Sequence, residues 1–255
     1  MWVLATDIDN TLTGDAQALE ALVQELVALQ RSDGLFLILS TGRRLQDILK
    51  GFEGEGLPEP DAIVAQIGTE IFLPPFSPQM APLAAWQAML QRDFSPRRAL
   101  AFLEGIEGVD MQVPEYNTTL KVSVHLHRSP DPRAVVEEVR RRIDASDVFE
   151  HYRLVWSSTT DLDIIPAKAG KGNAIRYLLD YLELDPKRLV VAGDSGNDLS
   201  MFEACPRGIV VANAQPELMR LREEAADTLF FATAECAGGV TEGLRHFGVL
   251  TADRD

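Results

Sequence analysis

Trp2-Val3-Leu4-Ala5-Thr6-Asp7-Ile8-Asp9-Asn10-Thr11-Leu12-Thr13 opens the chain, and the fold turns on how it is read. Residues 2–6 form a short apolar run, which marks a buried strand. The run stops at Asp7, so two carboxylates, Asp7 and Asp9, stand where the strand ends. Further along, 16–30 carries Leu19, Leu22, Val23, Leu26 and Leu29 at helical spacing. The Asp33-Gly34 turn precedes an apolar run over 35–40, a second strand. A helix over 44–52 and a strand over 62–66 continue the alternation. Strands alternating with helices predict a parallel sheet with helices on both faces.

The rhythm breaks at 73–82, where Pro74, Pro75, Pro78 and Pro82 mark an irregular excursion. Helical patterns follow over 83–92 and 96–103, then an alternating strand over 121–127. A charged amphipathic helix over 132–143 and a strand over 152–156 close this block. Helices mixed with alternating strands predict a small α+β insert. The first rhythm then returns, with helices over 171–182, 199–204, 216–225 and 239–247. Strands are expected over 189–193, 208–211 and 228–231, and a frayed tail from 251. The expected architecture is therefore α/β: a doubly wound, Rossmann-like parallel-sheet core from 1–78 and 159–255, with an α+β cap from 79–158.

The formal net charge of −15, without a long basic run, repels nucleic acid and anionic lipid. It would also repel a free phosphate ester, so such a substrate needs a local cationic site. No apolar run approaches membrane length, and the start lacks a basic secretory leader. A cytoplasmic protein with no membrane partner is expected. The two cysteines, Cys205 and Cys236, lack metal-ligand spacing and read as reduced thiols.

In an open parallel sheet, ligands bind beyond the carboxyl ends of the strands. Asp7 and Asp9 sit at one such end, Ser40-Thr41-Gly42-Arg43 at a second, and Gly193-Asp194-Ser195-Gly196-Asn197-Asp198 at a third. Converging carboxylates repel one another unless a cation sits among them. Oxygen-only donors favour a hard cation such as Mg2+. A carboxylate beside that cation can attack phosphorus, and a second one two residues on can move the proton. Thr41 and the glycine turns offer donors to phosphoryl oxygens, and Lys171 can offset their charge. Taken singly, each piece also reads as a turn or helix cap, and the last loop as a calcium loop without its closing Glu. Their joint occurrence at three strand ends is what points to phosphoryl chemistry.

These motifs, with Lys168-Ala169-Gly170-Lys171-Gly172-Asn173-Ala174, resemble the haloacid dehalogenase-like hydrolase superfamily. The insert resembles the cap of its Cof-like type IIB branch. That resemblance implies Asp7 as nucleophile, Asp9 as general acid and base, and Thr41 and Lys171 as phosphate holders. It implies Mg2+ held by Asp7, Asp194 and the Asp9 carbonyl, braced by Asn197 and Asp198. Gly42 and Arg43 would face the substrate. Four further segments narrow the resemblance to sucrose-6-phosphate phosphatases. They are Ala65-Gln66-Ile67-Gly68-Thr69-Glu70-Ile71, Lys121-Val122-Ser123-Val124-His125, Asp163-Ile164-Ile165-Pro166 and Val211-Ala212-Asn213-Ala214-Gln215-Pro216-Glu217-Leu218. By the same resemblance Gln66, Glu70, Lys121, Ser123 and Asn213 would face a sugar phosphate. The chain would be a monomer, with a sucrose-phosphate synthase as a partner. Thr13 before Gly14 departs from the aromatic or Val that many relatives carry. Mannosylfructose phosphate as substrate and a phosphomannomutase-like phosphotransferase share these motifs. A non-catalytic sugar-phosphate binder is the remaining alternative.

Overall fold

The computed structural model describes residues 1–205, 207–224 and 228–251. The chain begins β1 (Trp2–Thr6), α1 (Ala16–Arg31), β2 (Leu35–Ser40), α2 (Leu45–Gly54), β3 (Ala62–Ala65), β4 (Glu70–Phe72) and α3 (Ala84–Leu90). Its middle adds α4 (Pro96–Ala101), β5 (Asp110–Met111), β6 (Val122–His125), α5 (Pro132–Asp144), β7 (Tyr152–Ser157) and β8 (Asp161–Pro166). It ends with α6 (Lys171–Tyr181), β9 (Leu189–Gly193), α7 (Leu199–Ala204), β10 (Gly208–Val210), α8 (Pro216–Met219), α9 (Leu221–Glu224), β11 (Leu229–Phe231) and α10 (Cys236–His246).

Seven strands form one sheet in the order β11-β10-β9-β1-β2-β3-β4. All its pairs are parallel except β3 with β4. From β1 the chain steps to β2 and β3 on one side, and later to β9, β10 and β11 on the other. The order reverses at β1, so a crevice opens at its carboxyl end, where Asp7 follows. Both faces of this sheet are covered, as a parallel sheet requires. Side chains alternate: Leu4, Leu37, Leu39 and Val190 pack with Leu19, Leu22 and Leu26 of α1 and Val240 and Leu244 of α10. Val3, Ala5, Ile38 and Val191 face the opposite layer, with Ile175 and Leu178 of α6 and Met201 of α7.

α1 starts where Asp15 accepts from the Gln17 and Ala18 amides at 3.0 Å, an N-cap that satisfies two orphan donors. α6 lies so close to α7 that a β-carbon at Gly172 would stand 1.8 Å from the Ser200 carbonyl oxygen. Only glycine permits that approach, and it seats Lys171 beneath the β1 crevice.

The second sheet has four strands in the order β5-β6-β8-β7, all antiparallel. α5 turns Val135, Val136, Val139 and Ile143 into the core, while Arg141 and Arg142 pair with Glu138 on its outer side. Of the three consecutive arginines on this helix, Arg140 and Arg141 are exposed, whereas Arg142 is part-buried and donates to the Phe102 and Glu104 carbonyls.

Three strands, β4, β5 and β8, were not expected from the sequence, and β8 moves a domain junction. It pairs with both β6 and β7, so a junction at 158/159 would cut a hairpin; the small sheet runs on to Pro166. The hairpin turn hides from sequence reading because Ser158 and Thr159, not Asn or Gly, take its positive φ values of 52° and 60°. The first junction moves as well. Trp86 of α3 donates to the Gly68 carbonyl at 3.1 Å, packs on Tyr177 of α6 with ring centroids 4.8 Å apart, and is buried. α3 therefore packs on the large-sheet domain through Trp86, while Met89 and Leu90 at its far end line a cleft with Glu150 and His151 of the cap. The helix expected over 216–225 is two short helices, α8 and α9; Ala225 and the tail 252–255 lie outside the described residues. Among the described residues no helix is long and apolar enough to cross a membrane.

Cys205 and Cys236 are free and buried. Burial pushes the Cys205 thiol up to about 11 and raises that of Cys236. A thiolate is the reactive form, so neither should react with a disulfide reagent at pH 8 in the native protein. Both should titrate once the chain is denatured; rapid labelling of native Cys205 would contradict this placement.

Candidate active site

The loop after β1 coils tightly: the Leu12 and Thr13 amides donate to the Ile8 carbonyl at 2.8 and 2.9 Å. Asn10 takes a left-handed φ of 57°, and Asn213 pins it by donating Nδ2 to the Asn10 carbonyl at 2.7 Å. Asp7 is tied to the neighbouring strand by its amide, which donates to the Ala192 carbonyl at 3.0 Å. At the end of β2, buried Thr41 accepts the Arg43 amide on Oγ1 at 3.1 Å. The turn after β3 buttresses this loop, because the Gln66 amide donates to the Arg43 carbonyl and the Ile67 amide to the Thr41 carbonyl, both at 3.0 Å.

Lys171 lies at the centre of the acidic cluster and is fully buried. Its Nζ donates to Asp7 Oδ1 and to Asp198 Oδ1, each at 2.6 Å. Burial by itself would lower the lysine's pKa, but the Asp198 and Asp7 carboxylates reverse that and raise it. The other Asp198 oxygen accepts the Asp194 and Ser195 amides at 3.0 Å. Both oxygens of Asp198 are thereby used, which makes it a brace. Gly193 allows that brace, since a β-carbon there would meet Asp198 Cγ at 2.7 Å.

Asp7, Asp194 and Asp198 offer carboxylate oxygens within 4.8 Å of one another, all buried. Burial pushes the Asp7 carboxyl well above its usual range; Lys171 opposes this, and Asp198 and Asp194 push it further up. Burial and then the Asp198 charge bring Asp194 up to about 7, against the pull of Lys171. A single ammonium is too little charge for three buried carboxylates. Asn197 Oδ1 is buried there and finds no hydrogen-bond donor among the described residues. An oxygen-only donor set short of positive charge, with an unpartnered amide oxygen beside it, fits a hard divalent cation.

Asp9 is half exposed and turned to Arg43. The guanidinium grips it with Nε at 2.9 Å and Nη2 at 2.6 Å, and also holds Glu55 at 2.7 and 2.9 Å. The hydrogen bonds that Arg43 donates to Asp9 raise its pKa further above its already high value.

A cavity of about 430 Å³ lies between the two sheets. Its core wall holds Asp7, Asp9, Thr41, Gly42, Arg43, Asp194 and Asn197, so seven of the residues expected from the sequence meet there. The cap wall is Gln112, Val113, Tyr116, His125, Ser157, Ser158, Asp161 and Asp163. Of the residues expected to face a sugar, Gln66, Glu70, Lys121, Ser123 and Asn213 do not line this cavity. Gln66 and Glu70 line a neighbouring one of about 340 Å³. Glu70 is largely buried, which raises its carboxyl pKa, with Lys121 opposing. Lys121 and Ser123 are buried one layer behind the wall, where both engage Asp163: Lys121 at 3.5 Å, and Ser123 by a hydrogen bond from its hydroxyl. Asn213 braces the Asp7 loop from outside.

Sequence reading missed Gln112, Val113, Tyr116, Ser157, Ser158, Asp161 and Asp163 of this wall as site candidates, and the two aspartates are the charged ones. The signal was their alternation in Asp161-Leu162-Asp163-Ile164, but it becomes legible only when β8 is paired with β6, which sets Asp163 opposite Ser123 and Asp161 opposite His125.

Fold and site together define a hydrolase of the haloacid dehalogenase type with a type IIB cap, a sugar-phosphate phosphatase. The sequence model of the sucrose-6F-phosphate phosphohydrolase family matches residues 1–248, and the chain belongs to that family. The mannosylfructose-phosphate phosphatase of Agrobacterium fabrum is 37% identical over 97% of this chain and 97% of its own length. The sucrose-phosphatase of Synechocystis sp. PCC6803, solved with sucrose and phosphate, superposes with a TM-score of 0.88 at 31% identity, over 97% of this chain and 98% of that one. A haloacid dehalogenase subclass IIB sugar phosphatase shares the fold at 15% identity, with a TM-score of 0.66 over 98% of this chain and all of the other.

Proposed function

We propose that this phosphatase acts on the phosphate monoester of a fructosyl disaccharide, sucrose-6-phosphate first, in two transfers through Asp7. The observation that carries the reading is the buried Asp7 carboxylate on Lys171, on the core wall of a cavity whose cap wall is polar. The cavity volume falls in the range of small-molecule sites, about 300–1,000 Å³. Mg2+ held by Asp7, Asp194, Asn197 and the Asp9 carbonyl would offset phosphate charge during transfer.

In the first transfer an Asp7 oxygen forms a bond to phosphorus as the bond from phosphorus to the sugar oxygen breaks. The Asp9 carboxyl gives its proton to that leaving oxygen. Lys171 fixes the Asp7 rotamer through Oδ1, leaving the other oxygen for attack. Thr41 and the Gly42 amide are donors for the phosphoryl oxygens. In the second transfer the Asp9 carboxylate takes a proton from water, whose oxygen bonds to phosphorus and frees Asp7 and phosphate. Arg43, which grips Asp9, sets the direction of that carboxylate in both steps.

Mannosylfructose phosphate is the second reading, favoured by the relative at 37% identity, which is named for that substrate. A phosphate-release screen with magnesium distinguishes the two. One disaccharide phosphate should exceed glucose 6-phosphate and fructose 6-phosphate in kcat/KM by about a hundredfold or more, because a site built to bond hydroxyls rejects substrates lacking them. Equal turnover of the hexose phosphates would remove the disaccharide assignment. Phosphate passing to a sugar acceptor instead of water would indicate a mutase.

A further inference from the structure

His125 is the last residue of β6, and His127 lies in the turn that follows it. The rings stack with centroids 4.8 Å apart and planes inclined by 26°. β8 sets Asp161 opposite His125 in register, and Asp161 Oδ1 lies 2.7 Å from His125 Nδ1. One ligand atom from each of His125, His127 and Asp161 falls within 4.8 Å of the others. His127 is exposed, so packing of its ring into a core does not account for its place.

Two imidazoles with a carboxylate are the donor set of zinc and its transition-metal neighbours. Magnesium prefers oxygen alone. The cluster is therefore chemically separate from the oxygen-only group at Asp7. We propose that His125, His127 and Asp161 bind one zinc-class divalent ion on the cap wall, in addition to the cation of the hydrolytic core. His125 and Asp161 also line the main cavity. An ion held there occupies part of the space facing the sugar and weakens substrate binding without touching the carboxylate core. This coupling to substrate rests on the proposed function; the binding of metal does not.

The test is a calorimetric titration of zinc chloride into the full chain held in excess magnesium. Wild type should take up one equivalent at the cap. His127→Ala, a residue outside the cavity lining, should weaken that binding by about tenfold or more and leave zinc-free turnover unchanged. Asp161→Asn should weaken it too. Cobalt offers an optical check, because its visible band should appear in wild type and fade in His127→Ala. Zinc should raise the KM of wild type and leave that of His127→Ala alone. Equal zinc affinity in wild type and both variants, or no uptake at all, overturns the site. Binding that is lost in His127→Ala while zinc leaves the wild-type KM unmoved sustains the site and overturns its coupling to substrate.

Discussion

Asp7→Asn should lower kcat by about four orders of magnitude or more, the scale of losing a covalent nucleophile. The amide matches the carboxylate in volume and still offers Lys171 an oxygen acceptor in place of the 2.6 Å contact. It also removes one of three crowded negative charges. The fold should therefore stand, with a melting temperature close to that of wild type and product binding retained. Steady-state phosphate release together with a thermal melt checks both halves. Undiminished turnover in a folded Asp7→Asn protein would require another nucleophile. A beryllium fluoride adduct found on a different side chain would say the same.

Lys171→Met should cost both activity and stability. The ammonium is fully buried and bridges two carboxylates, Asp7 and Asp198, at 2.6 Å each. Removing one partner of a buried ion pair leaves uncompensated charge and typically costs about 3–5 kcal/mol. Here the cost should depend on divalent cation, because Asp7, Asp194 and Asp198 would be left with no other positive neighbour among their hydrogen-bond partners. Melting in magnesium and in chelator should thus differ more for Lys171→Met than for wild type. A variant that melts as wild type does in both conditions would show that Lys171 does not hold this cluster together. Turnover should fall as well, since Asp7 loses the contact that sets its rotamer.

The large sheet was legible because its information is local. An apolar run of five or six residues bounded by turn residues marks a buried parallel strand, and β1, β2 and β9 begin and end where their runs do. The core half of the site was legible for the same reason. Asp7, Thr41 and Asp194 each follow a strand directly in sequence, and parallel strands bring their carboxyl ends to one edge. The short strands were harder. β4 and β5 have three and two residues, too few to show a period. β8 reads as an apolar run with two acids, and its turn lacks the residues that usually announce a hairpin.

By itself the sequence pointed to phosphoryl chemistry, through Asp7, Asp9, Thr41, Lys171 and Asp194 in that order, each tied to a local signal. The tertiary structure alone decided which cap residues line the cavity. Lys121 and Ser123 could have been wall residues, but cross-strand pairing places Asp163 in front of them and Asp161 beside His125. It also decided that Arg43 spans Asp9 and Glu55, which lie 34 and 12 residues away. Such pairings depend on register and on how two sheets meet, and neither is written in the residues of any one segment.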